Sequence, residues 1–206
     1  MEGPLTPPAA LTVLYTHRLR GDFDRLPRLF SFLRDLRARA EGAPVLLADL
    51  GASCAPEVWH CAVTGGRSAL FALDGMGYHA ANVSGIFTPE LRHKMRDVTQ
   101  MALVDAGHSF AFSAAVQVTA AETTGDSAAA CHISLQPAPE TAWDGRLLRL
   151  AAIDGGQVGR VHLRDGALDR AEVLDLPASA APDPTIAGMI DFILGEARYT
   201  QKRNQA

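Results

Sequence analysis

Apolar and polar positions follow two alternating periods along this chain. LTVLYT (11–16) is a short, β-branched apolar run of the kind that forms a buried strand. After a polar turn, Leu26, Leu29, Phe30, Leu33 and Leu36 recur at helical spacing, predicting a helix over 25–40 with Asp24 at its N-cap. Gly42 and Pro44 stop it, and PVLLADL (44–50) reads as a second strand. A loop rich in glycine, serine, cysteine and proline (51–57) leads to a helix at about 66–75, closed by Gly-Met-Gly. YHAANV (78–83) is a third strand, and Thr88 caps PELRHKMRDV with Pro89 at the first helical position. This β-α-β-α-β-α order predicts a parallel sheet with right-handed crossovers.

The second half changes character. AFSAAVQVTA (111–120), AAACHISL (128–135), RLLRLAAI (146–153), GRVHLRDG (159–166) and ALDRAEVLDL (167–176) read as strands. Asp165-Gly166 is a hairpin signal between the last two. A Pro-rich stretch precedes a final helix (185–198) with Ile186, Met189, Ile190 and Ile193 as its apolar stripe, and the polar tail 199–206 is expected to fray. The pattern therefore predicts an α/β fold: a parallel β-α-β half (11–97), then a mostly β half (98–198) adding antiparallel strands to the same sheet.

Composition narrows the class. A chain of 206 residues suits a single domain over 1–206, after a leader (1–10) that carries three prolines. With 48% hydrophobic and 20% charged residues it is not globally disordered, and a net charge of −4 argues against bulk nucleic-acid binding. No apolar run reaches the roughly 18 residues of a membrane-spanning helix, and the N-terminus lacks a basic signal-peptide region. Three cysteines (Cys54, Cys61, Cys131) and no secretory signal predict reduced, buried thiols and a cytoplasmic protein. His60 adjoins Cys61, but six residues separate the first two cysteines, looser than the usual zinc pair. The glycine-rich GGRS (65–68) and DGGQVG (154–159) lack the P-loop lysine and the dinucleotide spacing, and read as turns.

Three strand-to-loop junctions carry a resemblance. LYTHRLRG (14–21), LLADLGAS (46–53) and YHAANVSG (78–85) resemble the first three metal-site segments of the calcineurin-like metallophosphoesterases, nearest to the 5′-nucleotidase type. Those segments read T-N-D-L-H-G, D-x-G-D-S and G-N-H-E in the family. The intervening text, IFTPEL (86–91) and the closing segments within 146–195 are similar too; 98–145 matches poorly. The resemblance implies a dinuclear phosphoesterase fold, in which two metal ions polarise phosphoryl oxygens and generate hydroxide.

At the ligand positions this chain departs from the pattern. The family's Asp and His fall on Arg18 and Arg20, its bridging Asp on Ala52, and its Asn and His on Gly85 and Ile86. Asp49 survives, but at a position outside the metal shell. Guanidinium stays protonated and ligates no cation. ACHISL (130–135) aligns His132 with a late family histidine, with His108 in GHSF (107–110) as a competitor.

These readings predict a non-catalytic homologue with no catalytic residue, no metal and no cofactor. If the stretch after the first strand is extended, Arg18 and Arg20 point to one side. They then lie at the sheet edge where open α/β proteins bind ligands. With His17, Ser84 and His132 they form a candidate site for a phosphate-bearing or other anionic ligand. Two alternatives stand beside it. One is an active, divalent-metal phosphoesterase rearranged around His17, Asp22, Asp24, Asp49 or His132; the other is a structural subunit that meets a protein partner.

Overall fold

The computed structural model describes residues 6–40, 42–121 and 127–205. Its first layer is helical, its second a six-stranded sheet and its third a five-stranded sheet. β1 (Ala10–Thr16), β2 (Val45–Asp49), β3 (Ala80–Asn82) and β4 (Ala102–Val104) run parallel in that order. β5 (Phe110–Ser113), β6 (Val116–Thr119), β7 (Cys131–Ala138), β8 (Ala142–Trp143) and β9 (Leu147–Ala151) form the second sheet, in the order β5-β6-β7-β9-β8. β10 (Gln157–Arg164) then returns to the first sheet antiparallel to β1, and β11 (Ala167–Asp175) pairs beside it through the Asp165-Gly166 turn.

The apolar runs are continuous because the first sheet is covered on both faces. Leu14, Leu47, Ala81 and Val158 face the helices α1 (Leu26–Ala38), α3 (Arg67–Gly75) and α5 (Pro184–Gln205), meeting Leu29, Leu33, Leu70, Leu73, Ile186 and Ile190. Val13, Tyr15, Leu46 and Ala48 face the other way, onto Val116, Val118, Ile133, Leu148 and Leu150 of the second sheet. Gly159 lies opposite Tyr15, and a Cβ there would sit 2.0 Å from the Tyr15 ring, so this strand position needs a residue without a side chain.

The architecture is α/β with the predicted parallel first half and the predicted Thr88 cap, whose Oγ1 accepts from the Leu91 amide of α4 (Pro89–Arg96). Several details differ. β10 and β11 join the first sheet antiparallel as expected, but β5–β9 of the second half build a sheet of their own, in which β6–β7 and β7–β9 are parallel. Residues 111–120 fold as a hairpin, broken at Ala114-Ala115, instead of one strand. A short helix, α2 (Trp59–Thr64), forms between the loop read over 51–57 and the helix expected at 66–75, where the pattern assigned no element. Asp24 does not cap α1, whose first turn begins at Arg25 with no side-chain cap. The tail does not fray, because α5 continues through Gln205.

Candidate functional site

Three parallel strands end together at Thr16, Asp49 and Asn82, and the loops that leave them are knit by backbone bonds. Arg18 N donates to the Gly51 carbonyl, Arg20 N to that of Ala52 and Gly21 N to that of Ser53, at 2.8–3.1 Å. Asn82 Nδ2 donates to the Leu50 and Leu135 carbonyls, and its Oδ1 accepts from the Ser84 amide.

Asp49 is the buried centre of this edge. Thr16 Oγ1 donates to its Oδ2 at 2.7 Å, while Ser53 Oγ and the Gly51 amide donate to Oδ1. Tyr78 Oη lies 3.0 Å from Thr16 Oγ1. Complete burial pushes the Asp49 carboxyl up to about 6, against the pull of those three donors. Burial, then the Asp49 charge, raises Tyr78 as well. Every oxygen of Asp49 is engaged, so this carboxylate organises the junction and is not presented to a ligand.

Arg18 and Arg20 are the exposed part of the same edge. The extended segment expected of them is not what forms: both have φ of 55°, as does Ala52. For residues other than glycine and asparagine, this left-handed conformation costs about 1–2 kcal/mol. It is imposed by the run of backbone bonds to 51–53 and by Leu19, whose buried side chain separates the two exposed ones. Arg20 Nη2 bonds Glu57 at 2.6 Å, and Arg18 Nη1 lies 3.6 Å from Asp154. A Cβ on Gly155 would fall 2.3 Å from the Arg18 carbonyl, so the β9–β10 turn closes directly onto this loop. Glu57 carried no motif and Asp154 only opened a glycine-rich turn; only folding brings them to the arginines.

The other predicted members divide. His17 is buried just below Arg18, and its Nδ1 has no partner among the described residues. Burial, then the Arg18 charge, lowers its pKa. Ser84 is exposed beyond β3, two strands from β1, which at about 4.8 Å per strand places its backbone roughly 10 Å away. His132 is not part of this edge. Along β7, Cys131, Ile133 and Leu135 face the core between the sheets, so His132 points to the opposite face, where it is buried.

The residues named for a rearranged metal centre do not converge. Asp49 is enclosed, and Asp22 pairs with Arg25 at 2.9 Å. Among the described residues, the group of three or more metal-capable side chains with ligand atoms within 4.8 Å is Cys54, His60 and Cys61. Arg18, Arg20, Ala52, Gly85 and Ile86 supply no donor for two divalent ions, so these positions do not fit the two metals that the sequence resemblance implies.

Two cysteines correct the expectation of reduced thiols. The chain between them turns into α2, bringing their Cα atoms to 5.7 Å, and Cys54 and Cys61 are joined as a disulfide. Cys131 is free and buried, and burial pushes its thiol up to about 12. The disulfide removes the argument from reduced thiols on which a cytoplasmic location rested. Among the described residues no helix is long and apolar enough to cross a membrane.

The two packed sheets and the helical layer are similar to a metallophosphoesterase-type fold. The chain is similar to the sulfate thiohydrolase SoxB of Thermus thermophilus, solved with glycerol, at TM-score 0.65 and 12% identity. The match covers 93% of this chain and 61% of that one, so this chain spans less than two thirds of SoxB. A second solved structure matches at TM-score 0.55 and 8% identity, over 81% of this chain and 99% of its own. No family model matches the sequence, and no curated protein does.

Proposed function

We propose that this chain is a non-catalytic member of the metallophosphoesterase-type fold whose Arg18–Arg20 loop holds a phosphate-bearing or other anionic ligand without a metal. The observation that carries this reading is the pair of solvent-facing guanidiniums fixed on left-handed backbone at the ends of the parallel strands. Such backbone gathers where a site has been shaped. At 18, 20 and 52 it falls on three positions where the resemblance puts metal ligands, now occupied by residues that bind none.

The magnitudes allow a ligand to enter. Each arginine is more than half exposed, and an exposed ion pair is worth about 0–1 kcal/mol. A doubly charged phosphate, which guanidinium binds through two parallel bonds, can compete with a single exposed carboxylate such as Glu57.

Thermal melts in a chelating buffer test this. Phosphate at about 100 times its Kd should raise Tm by roughly 5–10 °C, and Arg18→Ala should abolish the rise. No rise with any phosphate compound overturns the anion reading. Stoichiometric manganese, zinc or iron in the purified chain, with phosphoester hydrolysis, overturns the non-catalytic one.

A further inference from the structure

The disulfide lies beside the strand-end site, and its chemistry is separate from that of the arginines. Cys61 and His60 are both about 3% exposed on α2, and Cys54 is half-buried in the loop after β2. The imidazole is locked. Phe23 stacks on it at 4.1 Å between ring centroids, and Trp59 meets it edge-on at 5.7 Å. Its Nε2 lies 3.1 Å from the Gly21 carbonyl, which can only accept, so the proton is on Nε2. Nδ1 is left as the lone-pair nitrogen, 2.9 Å from Ser68 Oγ, and the same hydroxyl is 3.9 Å from Cys54 Sγ. An imidazole whose far N–H is held by a backbone carbonyl is oriented as metal-binding histidines are.

We propose that Cys54, His60 and Cys61 are a redox-gated zinc site, closed as a disulfide when oxidised and able to hold one Zn2+ when reduced. The two sulfurs and an imidazole nitrogen of His60 already lie within 4.8 Å of one another. Tetrahedral zinc, with Zn–S near 2.3 Å and Zn–N near 2.0 Å, needs neighbouring ligands about 3.5–3.8 Å apart. Parting the sulfurs to that distance is a side-chain movement, since the Cα atoms stand at 5.7 Å.

The chemistry balances through a dithiol reductant. It gives two electrons and two protons to the S–S bond, leaving as its own disulfide while Cys54 and Cys61 become thiols. Zn2+ then displaces both thiol protons to solvent and takes Nδ1 as its third ligand, with the fourth position on the Ser68 side. Two thiolates, one imidazole and an open position suit zinc and no hard cation. Disulfide and metal become alternative staples for one contact. Both hold α2 against the Gly21 turn, where a glycine Cβ would meet Cys61 Sγ at 2.8 Å.

Cobalt and zinc titrations of the full chain decide this. After reduction and removal of the reductant under argon, one equivalent of Co2+ should give a thiolate charge-transfer band and tetrahedral d–d absorption. The oxidised chain should give neither. Zn2+ should bleach both bands and raise the Tm of the reduced chain. Cys54→Ser should remove the bands, and His60→Gln should weaken binding by tenfold or more. No band from the reduced wild-type chain, equal binding by the oxidised chain, or bands retained in Cys54→Ser/Cys61→Ser would each overturn the proposal. If the variants unfold, the oxidised and reduced wild-type chains still decide.

Discussion

Asp49 and Arg18 leave the same end of the first sheet on neighbouring parallel strands, one enclosed and the other facing solvent. Around Asp49, three donors and the Tyr78–Thr16 pair consume the polar capacity of the junction. Around Arg18 and Arg20, each charge meets one exposed carboxylate on strained backbone. The difference separates two ways of using a polar residue. The buried network fixes where the loops run, and the exposed pairs, being weak, leave the loop open to a ligand.

Breaking the enclosed side should have the largest effect. Asp49→Ala orphans the Ser53 hydroxyl and the Gly51 amide in a buried place, at about 1–3 kcal/mol each before relaxation, and leaves Thr16 only its contact with Tyr78. Denaturant melts should show a loss of about 3–5 kcal/mol. A loss below about 1 kcal/mol would mean the network does not organise the junction.

The pH dependence sharpens the same side. The folded Asp49 carboxyl is raised to about 6 from its ordinary 3.8, so the folded state holds this proton more tightly than the unfolded chain does. Its contribution is fully present below about pH 4 and is lost as pH rises through 6, on the order of 3 kcal/mol. Melts of wild type and Asp49→Asn from pH 4 to 8 should converge or cross as pH rises, because the variant lacks this proton. Parallel curves would contradict the burial.

Next in size, Gly159→Ala tests whether the sheet packing that carries both loops is as tight as the Tyr15 contact implies. It should cost about 1–3 kcal/mol through overpacking. The smallest effects belong to the strained side. Ala52→Gly or Arg18→Asn should keep or raise stability, by up to about 1 kcal/mol, because both replacements tolerate left-handed φ better. A clear loss in either would show that the side chain, not the backbone, is what the loop needs.

Much of the fold was legible in the pattern. The continuous apolar runs of 11–16 and 44–50 mark strands buried on both faces, and Thr88-Pro89 marks a helix start. The second sheet was not legible, because short β-branched runs do not say which strand pairs with which. β6 and β7 are parallel neighbours, and the polar connection between them marks a break without saying which strands pair. The candidate site was legible as positions and not as geometry. His17, Arg18 and Arg20 lie at the predicted edge, whereas the two-residue period of β7 turns His132 to the far face. The left-handed arginines, their carboxylate partners and the Cys54–Cys61 pairing depend on chain segments that meet only after folding.

Calorimetric titration with inorganic phosphate in the presence of a chelator tests the metal-free anion site most directly. Wild-type protein should bind one phosphate, with affinity falling as salt rises. Glu57→Gln should bind more tightly, since it frees Arg20, and Arg18→Ala/Arg20→Ala should not bind. Undiminished binding by the double variant, or binding that appears only when a divalent metal replaces the chelator, would contradict the proposed site.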